Sequence, residues 1–177
     1  MEATPGPDPP LFPDELVASA GERAVLETFL DLYRDAIIGK VRGVSDEDAR
    51  LRLVGSATTL GGIVKHLHWV ELEWFQRVLA RRSVEDLPPV PGADSDPDAE
   101  FRLEPGDTVE HLLAEYEAAC ATSRATAAAH ALDDVAPHFR MGEVSLRWIY
   151  VHMIEETARH AGHADILREL IDGTTGT

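Results

Sequence analysis

Between Trp148 and Asp172 the chain carries one uninterrupted amphipathic pattern, about seven helical turns long, whose inward stripe is not purely apolar. At about 100° per residue, Ile149, Met153, Ala164 and Leu167 share a face with His152, Glu156, His160 and His163. An unpaired charge on such a stripe is costly to desolvate, so these groups must be neutral, paired or bound to a metal. Any fold built on this helix has to bring them partners from another element.

The rest of the pattern is also helical. Val25, Leu26, Phe29, Leu30, Leu32, Tyr33 and Ile37 recur at spacings of three and four and predict a helix from about Gly21 to Ile38, ended by Gly43. Ser45-Asp-Glu-Asp48 resembles a capping box opening a short turn through about Leu51, and the threonines of Gly55 to Thr59 can cap the next helix. That helix is expected from about Leu60 to Arg81, with Leu60, Ile63, Val64, Leu67, Val70, Glu71, Trp74 and Val78 on one side. His66 lies at the flank of this face, and His68 points elsewhere. Residues 83 to 106 interleave Pro88, Pro89, Pro91, Pro97 and Pro105 with acids, which argues against any helix there and predicts a long surface connection. Asp107-Thr-Val-Glu110 reads as a second capping box, opening a helix whose Val109, Leu112, Leu113, Tyr116, Cys120 and alanine-rich run reach His130. A loop from Leu132 to Glu143 leads to the last helix, capped by Ser145, stapled by Val144 against Ile149 and stopped by Gly173. No strand pattern and no internal repeat is visible. The expected fold is all-α: one antiparallel four-helix bundle over residues 19–174, with a long acidic Pro-rich connection between its second and third helices. A Pro-rich disordered arm over residues 1–18 precedes it.

Charge narrows the partners. Asp plus Glu number 32 against 16 Lys plus Arg, which disfavours nucleic acid and anionic membrane surfaces, and no apolar run is long enough to span a bilayer. Met1 to Pro13 has proline and acid where a signal peptide would have a basic and then an apolar region. Cys120 alone permits neither an internal disulfide nor a multi-cysteine zinc knuckle. A cytoplasmic protein acting on a small molecule is the expectation.

Glu156 and His160 lie one turn apart, about 6 Å along the helix axis, and can point at a common atom. The spacing suits two ligands of one divalent ion, with a third ligand from another helix, for which His66 is the best candidate. His163 and His152 are left as a fourth ligand, as partners orienting a ligand or, for His163, as a proton shuttle. The competing reading is a buried, purely structural network of Glu and His. Trp69, Trp74 and Trp148 read as core or groove wall, and Cys120, among alanines with no base nearby in sequence, as an inert packing residue. The chain has no His-Glu-x-x-His, no Gly-x-Ser-x-Gly and no Gly-rich phosphate loop, which excludes a zincin, an esterase elbow and a nucleotide cradle of those types. A carboxylate-bridged di-iron bundle needs Glu-x-x-His on two helices, and that spacing is missing.

Three segments carry a resemblance: Thr59-Leu-Gly-Gly-Ile-Val-Lys-His-Leu-His-Trp-Val-Glu71, Ser145-Leu-Arg-Trp148, and His152-Met-Ile-Glu-Glu-Thr-Ala-Arg-His-Ala-Gly-His-Ala-Asp-Ile-Leu-Arg-Glu169. Over about residues 20 to 173 the chain resembles the DinB-like superfamily of metal-binding four-helix bundles. Within it, the likeness is to the actinobacterial branch of mycothiol-dependent transferases, mycothiol-dependent maleylpyruvate isomerase and the mini-circle protein. The resemblance implies His66 as first ligand and His160 as last, with Glu156 in the middle position as in the isomerase, where the commoner pattern has His. It further implies one divalent ion, zinc foremost with nickel, iron or manganese as alternatives, mycothiol as co-substrate, and a homodimer paired through an exposed helix face. The negative charge of Glu156 favours a hard-to-borderline ion. The function so implied is a metalloenzyme, an S-transferase or an isomerase or hydrolase, that activates a small thiol or water for transfer to an electrophile. The alternative is a non-catalytic, metal-stabilised bundle serving as scaffold or interaction protein.

Overall fold

Helices form where the apolar residues recur at three and four, and a hydroxyl caps the start of three of them: Thr59 accepts from the Gly62 amide, Thr108 from His111 and Ser145 from Trp148. The computed structural model describes residues 10–89, 96 and 98–175. A single-turn helix α1 (Pro13–Leu16) is followed by α2 (Glu22–Val41), α3 (Leu60–Glu71), α4 (Val109–Ala128) and α5 (Leu146–Asp172). Thus Thr108, not Asp107, caps α4; the Asp107 carboxylate instead accepts from the Glu104 amide and from Lys65. Gly43 and Gly173, at φ +82° and +75°, close α2 and α5 in the left-handed region that favours glycine. Most of the expected N-terminal arm, residues 1–9, lies outside the described residues, and within the remainder α1 is helical rather than extended.

Two elements depart from the sequence expectation. The second long helix does not run as a regular α-helix to Arg81: after Glu71 it continues as a π-helix over Leu72–Leu79, ending with the Ala80 amide on the Phe75 carbonyl five residues back. The wider turn cannot be read from a 3.6-residue pattern, and it brings Phe75 and Gln76 inward together. The expected loop before α5 contains an antiparallel hairpin, β1 (Val135–His138) with β2 (Gly142–Ser145), paired Val135 to Ser145 and His138 to Gly142. Four-residue strands interrupted by Pro137 are too short to show alternation.

The bundle runs up, down, down, up. Arg147 bonds Glu22 and Lys40 bonds Asp165, so α2 and α5 are parallel; Lys65 bonds Asp107 and Gln76 bonds Thr126, so α3 and α4 are parallel too. The two pairs oppose each other, and the long connection between α3 and α4 is the crossover such an order demands. No described helix is long and apolar enough to cross a membrane.

The core is divided at mid-height. One apolar cluster gathers Ile37, Val41, Leu60, Ile63, Leu67, Leu112, Ala164 and Leu167 at one end, and another gathers Leu30, Phe75, Val78, Leu146, Ile149 and Met153 at the other. Between them, on α2, α3 and α5, lie Arg34, His66, Glu71, Glu156, Thr157 and His160. This polar waist positions the candidate site.

Candidate metal centre

His66 on α3 and Glu156 and His160 on α5 meet on one side of the waist, and one ligand atom from each lies within 4.8 Å of the others. The His66 Nε2 is 3.1 Å and the His160 Nε2 3.2 Å from the same oxygen, Glu156 Oε1. The other Glu156 oxygen accepts from Arg159 at 3.3 Å, which leaves Oε1 free to face the two rings. Donors about 2.0–2.2 Å from a tetrahedral ion stand about 3.3–3.6 Å apart, close to the spacing seen here.

The crossover supplies what the helices do not. Its last part forms a short 3-10 turn, Ala99–Phe101, that docks on the start of α3. Glu100 Oε2 lies 3.0 Å from His66 Nδ1, and the Phe101 ring stacks on the His66 ring at 4.1 Å and 16°. Docking this close depends on Gly62, where a Cβ would stand 2.4 Å from the Phe101 carbonyl oxygen; a Cβ on Gly61 would meet the movable end of the Leu103 side chain, at 2.8 Å. Lys65 pins the same strip through the Arg102 carbonyl and Asp107. Sequence reasoning missed Glu100 and Phe101, because residues 83 to 106 read as a solvated acidic connection. The signal available was the Gly61-Gly62 pair, too small for a surface role in a helix, opposite an aromatic in an otherwise polar loop.

Electrostatics follow from this packing. Burial pushes the His66 pKa down, but hydrogen bonds to Glu100 and Glu156 outweigh it and leave the value raised. Hydrogen bonds from His160 and His66 hold the Glu156 carboxyl well below the usual range despite its burial. If His66 donates Nδ1–H to Glu100, its Nε2 is a lone pair facing the lone pairs of Glu156 Oε1, which in turn face His160 Nε2. Acceptors meeting acceptors are repulsive unless a cation sits among them. Protons on the imidazoles relieve these contacts in the metal-free protein, as the raised His66 value reflects, and a divalent ion would take their place, so the donor set fits a metal.

The other two histidines stand apart from this trio. His163 is exposed, edge-on to His160 at 5.4 Å. His152 is half-buried in an aromatic group, stacked on Trp148 at 5.1 Å and edge-on to Trp74 at 4.7 Å, with His138 of the hairpin stacked on Trp74. Burial lowers the His152 pKa, so it is neutral at pH 7. Neither joins the ligand group among the described residues. Trp74 is part-buried against the second apolar cluster and Trp148 is exposed, their rings 5.2 Å apart. Cys120 is buried, and burial together with the nearby Glu71 charge pushes its thiol far up, so it stays protonated.

Comparison with known proteins places this arrangement. No curated protein matches the chain. A family model described as mycothiol-S-transferase matches residues 25–173, a span that holds all three converging side chains, Glu100 and Phe101. The chain therefore belongs to the mycothiol-S-transferase family of the DinB-like superfamily.

Proposed function

We propose that this protein is a metal-dependent S-transferase joining mycothiol, or a thiol of that type, to a small electrophile. The observation that carries the reading is the convergence of His66 Nε2, Glu156 Oε1 and His160 Nε2, with no fourth protein ligand among the described residues. Three protein ligands with a vacant position are the arrangement of catalytic rather than structural zinc, and zinc suits two imidazoles and a carboxylate. A divalent ion held there stabilises a thiolate over a thiol at neutral pH.

The chain's own residues do the rest. Glu100 accepts the His66 Nδ1 proton and so keeps Nε2 toward the site. Arg159 holds the second oxygen of Glu156 and fixes which oxygen binds. The Phe101 ring stacks on one face of His66 and holds the ring in place. The sulfur then forms a bond to the electrophilic carbon, the leaving group departs with its electron pair, and the thiol proton passes to solvent. We place the protein in the cytoplasm as a homodimer paired through an exposed helix face.

Incubating the zinc-loaded protein with mycothiol and monochlorobimane tests the reading. Fluorescent conjugate is expected well above the uncatalysed rate, and its absence with one zinc per chain confirmed by elemental analysis overturns the transferase assignment.

A further inference from the structure

We infer that the electrophile carries a carboxylate, received by an arginine-lined cavity beside the metal centre. The inference rests on the transferase reading and names the substrate class of that site. A cavity of about 300 Å³ lies between the segment after α2 and the docked crossover strip, lined by Arg50, Arg52, Thr59, Asp98, Phe101 and Arg102. Its wall includes the aromatic residue whose ring lies 4.1 Å from that of His66, so the cavity and the ligand trio are neighbours across one side chain.

The charge of the lining runs against the charge of the chain. Acids outnumber bases two to one in the sequence, yet three of the 16 basic side chains line this one cavity against a single lining acid. Arg50 and Arg52 make no bond to a carboxylate among the described residues, whereas Arg102 is already paired. Arg50 donates to the Glu104 and Asp107 carbonyls, which fix its guanidinium without neutralising it. Arg52 reaches only the Ser56 carbonyl, at 3.4 Å, and has no carboxylate partner among the described residues. Arg102 pairs with Asp96 at the exposed surface, where such a pair is weak and exchangeable. Guanidinium forks match the two oxygens of a carboxylate, and the cavity has room for a small aryl or aliphatic acid. The acid end anchored among the arginines leaves the remainder of the molecule to extend past Phe101 toward the trio.

Calorimetry on the zinc-loaded full chain tests this with 3-nitrobenzoate and its neutral isostere 3-nitrobenzamide. The acid is expected to bind about tenfold more tightly, and Arg52→Gln and Arg102→Gln each to remove most of that preference while leaving the amide and the circular dichroism unchanged. Equal binding of acid and amide, or no response to either substitution, overturns the inference. Inorganic phosphate displacing 3-nitrobenzoate at equal concentration also overturns it, since the cavity would then take any anion.

A kinetic arm pairs mycothiol with 4-chloro-3-nitrobenzoate or with neutral 1-chloro-2,4-dinitrobenzene; in both, a carbon–sulfur bond forms, chloride leaves with its electron pair and the thiol proton goes to solvent. Arg52→Gln is expected to lower kcat/KM about tenfold for the acid only. Loss of both rates alike overturns the carboxylate assignment. If the acid binds selectively but neither electrophile is conjugated, the transferase reading fails and the anion site stands.

Discussion

Two carboxylates sit in the waist of the bundle, Glu71 buried and Glu156 part-buried, and they are satisfied in different ways. Glu71 is fully enclosed, and both of its oxygens accept from Arg34, at 2.8 and 2.6 Å; Arg34 adds Asp31 at 2.9 Å. Donors meet acceptors there and the site is closed. Glu156, on the side of α3 toward α5, shares one oxygen between two imidazole nitrogens at 3.1 and 3.2 Å, with Glu100 on the other His66 nitrogen. The first carboxylate is met by a permanently charged guanidinium, and the second by imidazoles whose protons can be exchanged for another cation. Burial alone therefore does not mark a site; the exchangeability of the partners does.

The largest test of this contrast removes one member of the trio. His66→Ala and His160→Ala are each expected to abolish stoichiometric metal and conjugation, measured by elemental analysis and the bimane assay, with the fold retained by circular dichroism. Retained metal in either variant would make the trio a purely structural network. Glu71→Gln attacks the closed site instead. It leaves a buried guanidinium under-compensated and is expected to cost about 3–5 kcal/mol of stability by urea titration, while metal content at low temperature stays that of the parent. Glu100→Gln is a smaller change at the open site, because the amide keeps an acceptor but loses the charge. Metal affinity should fall about 10–100-fold, with stability of the metal-free protein little altered.

The smallest effect is a change of sign with pH. In the metal-free protein the lowered Glu156 value contributes stability above its unfolded value near 4.5, and the raised His66 value contributes below its unfolded value near 6.5. The metal-free Tm should therefore be highest between those values and decline above them as His66 loses its proton. Zinc binding needs neutral imidazoles, so the added Tm from zinc should grow over the same rise. Parallel melting curves with and without zinc, from about pH 5 to about pH 8.5, would deny the coupling.

Much of this was legible in the chain itself, and what was not has identifiable causes. Periodicity located the four helices, and the hydroxyl caps at Thr59 and Ser145 follow from residue type. Glu156 and His160 could be paired because four residues on a helix is a fixed distance, and His66 because it is the one histidine at the flank of the apolar face. Glu100 and Phe101 could not, because their place depends on where a 29-residue path from Ala80 to Thr108 comes down on α3. His152 and His163 stand apart from the trio through angle. A stripe drawn at 100° per residue is wide enough to include neighbours that point to the aromatic group or to solvent. Nothing in the spacing of Arg34 shows in sequence that Glu71 lies opposite.

The strip of crossover at residues 98–107 divides labour between inheritance and innovation. The proposed ligands belong to helices whose register is locked by two apolar clusters, so they tolerate little change. The groups proposed to face an incoming molecule, Phe101 and Arg102, ride on a segment held by Lys65, Arg50 and Gly62. Exchange of that segment between relatives that keep Gly62 offers a cassette by which one chassis could be given new substrates without rebuilding its metal centre.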